Sequence, residues 1–127
     1  MRNKYMGTGE GGFYPIKKLR VCLSGFRYAV LYDFSVAYKL VVSIVVLVVF
    51  GIMHELVDFV LLLLATTLWL VSEMFNTAAE AICNFVQPQQ DPRIRAIKDI
   101  AAAAAGLCTL VWLLVLVAEV VKLSRSM

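Results

Sequence analysis

Three long apolar runs dominate this sequence and constrain its fold more than any other feature. They extend from about Val36 to Met53, from about Val57 to Val71, and from about Ala101 to Val121. Each is near the ~20 residues that an α-helix needs to cross the hydrocarbon of a bilayer. Because lipid offers no hydrogen-bond partner to a polypeptide backbone, such segments must be helical. The runs therefore predict an all-α integral membrane protein with three transmembrane helices.

The composition agrees with a membrane protein and argues against a soluble domain and against a disulfide or metal framework. Hydrophobic residues make up 61% of the 127 residues, whereas a soluble domain usually holds about 45–50% apolar residues. The three cysteines, Cys22, Cys83 and Cys108, are odd in number and far apart. We therefore expect them to be buried small side chains, not a disulfide framework or a metal cluster. The length predicts a single domain.

A fourth helix is predicted ahead of the first apolar run. Basic residues alternate with apolar ones at helical spacing over about 16–32, a pattern typical of an amphipathic helix at a membrane surface. We expect a flexible N-terminus over 1–15 and one membrane domain over 16–127. Within that domain the predicted helices are the surface helix at about 16–32 and transmembrane helices at about 36–53, 57–85 and 93–122.

The charges beside the apolar runs predict an orientation. Six basic residues precede the first run, the first loop is acidic, and the second loop is basic, so the positive-inside rule places the N-terminus and the second loop in the cytoplasm. Lys122 and Arg125 would lie on the outer side and count against this orientation, but they are outnumbered. A basic N-terminal segment of this kind suits an anionic leaflet better than nucleic acid. The six residues are Arg2, Lys4, Lys17, Lys18, Arg20 and Arg27.

One polar stripe follows the second apolar run. Glu73, Asn76 and Glu80 stand at positions i, i+3 and i+7 and share one face of an α-helix. Two carboxylates and a carboxamide at a membrane edge indicate an ion site or a reaction, because ionisable groups so close to lipid are costly and usually functional. A solvated polar face is the alternative. The presence of Asp33 and of the adjacent pair Lys98 and Asp99 favours the functional interpretation.

These residues resemble a known family, the small prokaryotic diacylglycerol kinases and their undecaprenol kinase relatives. Residues 73–81, EMFNTAAEA, are similar to the family signature E-x-x-N-[ST]-A-x-E-x, and residues 97–102, IKDIAA, are similar to A-K-D-x-[AG]-[AS]. A weaker match extends from Gly25 to Asp33. The resemblance spans nearly all of the chain. It implies a homotrimer in the bacterial inner membrane, with active sites shared between subunits.

The same resemblance implies an ATP-dependent lipid kinase and assigns roles to residues. Glu73 would be the catalytic general base toward a lipid hydroxyl. Asp33 and Glu80 would bind Mg²⁺, which usually takes one or two protein carboxylates beside substrate phosphates. Phosphoryl transfer depends mainly on positioning and charge neutralisation. The residues expected to bind the nucleotide and its metal are Asn76, Glu80, Lys98, Asp99 and Asp33.

The lipid substrate and the function class leave alternatives. Diacylglycerol, giving phosphatidic acid, is favoured over undecaprenol, although Ala102 occupies a position that is Ala in undecaprenol-type relatives. Asp33 replaces the more common Glu, and Lys39 stands where some members carry an acid. A different class is a non-enzymatic membrane subunit or proton-relay bundle. A relay would spread its acids through the membrane depth, whereas here they gather at one edge with a lysine, so we favour the kinase.

Three further features have structural interpretations. Trp69 and Trp112 are expected to be packing or interface aromatics. The small residues from Ala101 to Gly106 are expected to form a close helix-packing surface. Glu119, near the outer end of the third run, is expected to snorkel or to contact another subunit.

Overall fold

A computed structural model describes residues 14–53 and 55–126 and confirms the all-α fold class. In chain order the helices are α1 (Pro15–Tyr32), α2 (Phe34–Met53), α3 (Leu56–Val86) and α4 (Pro92–Ser126). The last three are long and apolar enough to cross a membrane. Their ends differ from the predicted ones by four residues at most. Most of the predicted N-terminal segment, residues 1–13, lies outside the described residues.

Two aspartates determine where α2 and α4 begin. Asp33 is the single non-helical residue between α1 and α2, and its Oδ1 accepts the backbone N–H of Ser35 at 2.9 Å. Asp91 accepts the backbone N–H of Arg93 at 2.8 Å, with Pro92 at the first helical position between them. Both arrangements are N-caps, in which the side chain satisfies a backbone N–H that has no partner within the helix. Asp91 also accepts a hydrogen bond from the Arg93 side chain. This hydrogen bond, and to a smaller extent that of the Arg93 backbone N–H, holds the pKa of the Asp91 carboxyl below its ordinary value.

α3 and α4 are joined by a reciprocal exchange of hydrogen bonds between two tryptophans and two threonines. Trp69 Nε1 donates to Thr109 Oγ1 at 3.1 Å, and Trp112 Nε1 donates to Thr66 Oγ1 at 3.0 Å. The indole rings stack with centroids 4.0 Å apart and planes 11° apart. Hydrogen bonds and close packing hold helices together in lipid, where the hydrophobic effect between them is absent. The predicted packing role of both tryptophans is confirmed.

An ion pair closes the far end of the α3–α4 pair. Lys122 Nζ donates to both oxygens of Asp58, at 3.0 and 2.7 Å. Asp58 belongs to the first turn of α3 and is buried. The charge of Lys122 is therefore neutralised within the chain. Its place on the outer side consequently counts less against the predicted orientation. Glu119 is also buried, at 6% exposure, so the expectation that it snorkels is wrong.

The small residues behave differently from expectation in two places. Between Ala101 and Gly106 only Ala105 is buried, and a Cβ built at Gly106 would meet nothing within 4 Å. This stretch is therefore not a close-packing surface against the described part of its own chain. Cys22 is exposed on α1, so the expectation of three buried cysteines is wrong. The close approach occurs instead at Gly51 of α2, where a Cβ would lie 3.2 Å from the Phe59 ring of α3.

Replacing Thr66 by valine tests the tryptophan–threonine exchange. Valine keeps the shape of the side chain but removes the acceptor of the buried Trp112 N–H, so we expect a loss of about 1–2 kcal/mol. The measurement is the midpoint of thermal unfolding in detergent. Thr67→Val, at the exposed neighbouring position, is the matched control and should unfold near the wild-type midpoint. Equal midpoints for the two variants would contradict the role of the exchange.

Candidate functional site

The polar stripe lies on α3 and passes from buried to exposed positions. Glu73 is 8% exposed, Asn76 is half-buried and Glu80 is exposed. α3 remains helical through all three residues and ends at Val86. The stripe therefore connects the protein interior, next to the apolar part of the helix, with the end of the helix beside the α3–α4 loop.

The buried end of the stripe is an ion pair between two helices. Lys39 Nζ on α2 donates to Glu73 Oε2 at 2.5 Å, and each side chain is 10% exposed. The ammonium also lies 5.4 Å from the centroid of the Trp69 ring, within the range of a cation–π interaction. A charge at this depth is tolerated only when it is paired. The sequence signal for this pair was a lysine inside an apolar run, but periodicity within one helix could not identify its partner.

The middle of the stripe receives Asp33. Thr77 Oγ1 donates to Asp33 Oδ2, while the other carboxylate oxygen caps α2. Thr77 follows Asn76 and is three residues before Glu80, so Asp33 lies against the α3 turn that carries both. The two carboxylates expected to bind a metal therefore come from adjoining elements. Within the described residues, no group of three His, Cys, Asp or Glu side chains is placed to hold a metal ion.

Asn76 has an unused hydrogen-bond acceptor. Its Oδ1 is buried and has no donor among the residues that the structure describes. A buried acceptor without a donor costs about 1–3 kcal/mol. A ligand that donates a hydrogen bond at this point would remove that cost, as a water molecule bound to a metal ion can.

The exposed end of the stripe holds Lys98. Its Nζ donates to Oδ1 of Asn84, which is four residues beyond Glu80 and continues the same face of α3. Asn84 was missed by the sequence analysis, although its i+4 spacing from Glu80 was visible. Lys98 and Asp99 also line a cavity of about 580 Å³ formed by the α3–α4 loop. The other lining residues are Gln87, Pro88, Gln89, Gln90, Asp91, Pro92, Ile94 and Arg95.

The two ends of this face of α3 carry groups of opposite charge. A carboxylate is held near the apolar segment by Lys39, and a second lysine is held at the aqueous end by Asn84. Glu73 and Asn84 are eleven positions apart on the helix, or about 16 Å at 1.5 Å per residue. Such a site can accept a hydroxyl from the membrane and a multiply charged anion from water. Lys98 contacts Asn84, and Lys98 and Asp99 both line the loop cavity at that end.

Neutralising one member of the buried pair should cost stability. Glu73→Gln leaves the Lys39 ammonium buried without its partner, so we expect a loss of about 3–5 kcal/mol. In the double variant Lys39→Met/Glu73→Gln neither charge remains, and most of that loss should be recovered. Unfolding midpoints in one detergent measure all variants, with Glu80→Gln as the exposed control. Additive losses in the double variant would show that the two side chains do not act as a pair.

The chain matches a known protein family over most of its length. The family model described as prokaryotic diacylglycerol kinase matches residues 20–120. That range contains both signature segments and all of the predicted site residues. No curated protein and no solved structure matches the chain significantly.

Proposed function

Since this chain belongs to the prokaryotic diacylglycerol kinase family and is therefore a lipid kinase, we propose that it transfers the γ-phosphate of ATP to the hydroxyl of diacylglycerol, giving phosphatidic acid. The observation that carries this proposal is the stripe on α3, which passes from buried Glu73 to exposed Glu80. A lipid alcohol presents its hydroxyl at headgroup depth and ATP arrives from water. The reacting groups must meet at such a boundary.

Glu73 is the proposed general base. Lys39 occupies Oε2, so Oε1 is the oxygen that can accept the proton of the lipid hydroxyl. The hydroxyl oxygen then forms a bond to the γ-phosphorus, and the bond from that phosphorus to the β–γ bridging oxygen breaks. ADP leaves with the electron pair. A positioned base of this kind contributes about 10²- to 10⁴-fold to a rate.

Asp33 and Glu80 are the proposed ligands of Mg²⁺. Mg²⁺ usually keeps several waters and takes only one or two protein carboxylates beside substrate phosphates, which fits two carboxylates from adjoining elements. The cap that Asp33 makes on α2 and the hydrogen bond from Thr77 direct its carboxylate toward the stripe. When bound, the metal would neutralise phosphate charge. The Oδ1 of Asn76, which has no donor among the described residues, is suited to accept a hydrogen bond from a water molecule bound to that metal.

The nucleotide is proposed to lie between the stripe and the α3–α4 loop. Lys98 would contact the phosphates, Asn76 would orient them and Asp99 would hold the nucleotide or the lysine. The hydrogen bond from Lys98 to Asn84, at the exposed end of the stripe, supports this role. The cavity beside the loop, whose lining includes Gln87 to Asp91, is the proposed place for the base and ribose.

The site is proposed to face the cytoplasm of a bacterium, with the N-terminus on the same side and the protein in the inner membrane. The basic loop and N-terminal segment support this orientation. A homotrimer with shared sites is proposed as well. In the single chain α4 leaves large apolar side chains exposed from Leu107 to Val121, which lipid or neighbouring subunits would cover.

Transfer of labelled γ-phosphate from Mg-ATP tests the proposed reaction. Diacylglycerol and undecaprenol are offered side by side in mixed micelles, and we expect transfer to diacylglycerol that Glu73→Gln abolishes. The double variant Lys39→Met/Glu73→Gln should remain inactive although its stability is largely recovered, which separates loss of the base from loss of the fold. Glu55→Gln, exposed at the opposite end of α3, should retain activity. Transfer to undecaprenol alone would change the substrate, and transfer to neither lipid would refute the proposal.

Glu80→Gln tests the metal assignment. Removing a carboxylate ligand should raise the Mg²⁺ concentration needed for half-maximal activity. We expect an increase of at least ~10- to 100-fold, because losing even an outer-shell partner of a metal ligand lowers metal affinity by that factor. The KM for the lipid should stay unchanged, because Glu80 is at the exposed end of the stripe. Titration of Mg²⁺ at fixed ATP gives the measurement, with Glu55→Gln as control. An unaltered Mg²⁺ dependence would remove Glu80 from the site.

A further inference from the structure

We propose that Lys39 is a positioning residue for the transfer reaction, acting by holding the carboxylate of Glu73 in its reactive orientation. This inference rests on the proposed role of Glu73 as the base. Lys39 Nζ donates its hydrogen bond to one oxygen of the Glu73 carboxylate, Oε2, at 2.5 Å. A glutamate side chain has three rotatable bonds, and a contact at Oε2 selects the rotamer that presents Oε1 to a substrate.

The lysine is itself held by the helix pair behind it. Its ammonium lies over the Trp69 ring at 5.4 Å from the centroid. That ring is stacked on Trp112 and anchored through Nε1 to Thr109, both on α4. A continuous series of contacts therefore connects α4, through Trp69 and Lys39, to the base. Catalytic side chains require this kind of support, because a group misplaced by about 1 Å can lose roughly 10²-fold in rate.

The ion pair between Lys122 and Asp58 shows why stability alone is an insufficient explanation. Lys122 binds both oxygens of Asp58 with its own side chain 59% exposed. Lys39 binds a single oxygen with both partners 10% exposed. A buried pair is weak evidence for stability, since well-packed apolar residues in its place are often as stable or more so. A hydrogen bond to Oε2 of the base, by contrast, leaves Oε1 to accept the proton of the substrate.

The sign of the charge at position 39 matters to the proposal. An acid in place of Lys39 would face Glu73 directly. Two carboxylates at that distance would repel each other. The base of this protein is thus oriented by attraction to a cation, and Lys39 is specific to that arrangement.

Kinetics of the full-length protein in mixed micelles test the proposal, using Lys39→Met, Lys39→Gln and Lys39→Arg. We expect Lys39→Met to lower kcat by about 10²-fold while the KM values for Mg-ATP and lipid stay nearly unchanged, because the lost contact acts in the transition state. Lys39→Arg supplies another charged donor for Oε2 and should restore most of kcat. Lys39→Gln keeps a neutral donor and should show a smaller loss of kcat. If the methionine variant does not fold, the glutamine variant makes the same test.

Lys122→Met is the matched control, because it removes the second ion pair at the opposite end of the bundle. It should lower the unfolding midpoint without changing kcat. A wild-type kcat in both Lys39→Met and Lys39→Gln would overturn the proposal, as would a loss of kcat that follows the midpoint equally in the Lys39 and Lys122 variants. If wild type transfers phosphate to neither lipid, the function itself has failed. If wild type is active, Glu73→Gln is inactive and Lys39→Met turns over normally, only the role of Lys39 has failed.

Discussion

A charged side chain beside hydrocarbon must have a partner, and the rest of this structure depends on how that requirement is met. Lys39 and Glu73 neutralise each other between α2 and α3 at the depth where the apolar run gives way to polar residues. Lipid cannot solvate either charge, so the two helices are compelled to meet there. The same pairing leaves one oxygen of the glutamate for a substrate. One contact therefore serves both the assembly of the bundle and the proposed chemistry.

α3 is the element that packs against both α2 and α4. Along one side it meets α4 through the stacked tryptophans and their threonine acceptors, with Asp58 and Lys122 closing one end and Asn84 and Lys98 the other. On the side of α2, the Phe59 ring packs closely against Gly51, and Glu73 forms its ion pair with Lys39. Polar contacts thus occur at intervals along the seams, and they impose one register on antiparallel helices whose apolar residues alone would allow several. This register determines which side chains of α2 and α4 lie beside the stripe.

Much of the fold was accessible from the sequence because it follows from local rules. Apolar length predicted the three spans, helical periodicity predicted α1, and both are confirmed by the described helices. The expectations that failed concern surroundings. Cys22 was expected to be buried and is exposed, and Glu119 does not snorkel, because burial depends on which helix face meets a neighbour. The subunit contact offered as the alternative for Glu119 and the packing surface over Ala101–Gly106 stay predictions. The roles assigned to Glu73, Asp33 and Glu80 remain predictions, because no ligand contact tests them.

The sequence by itself determined the class of the molecule and the polar stripe of α3. Backbone hydrogen bonding in lipid allows no alternative to helices for its apolar runs, and the i, i+3, i+7 spacing of Glu73, Asn76 and Glu80 holds for any α-helix. The tertiary structure alone decided which side chains from other helices complete that face. Lys39 joins Glu73, Thr77 reaches Asp33, and Asn84 holds Lys98. These contacts join residues 14 to 44 positions apart, and their formation depends on the axial register and rotation of packed helices, which no local pattern encodes.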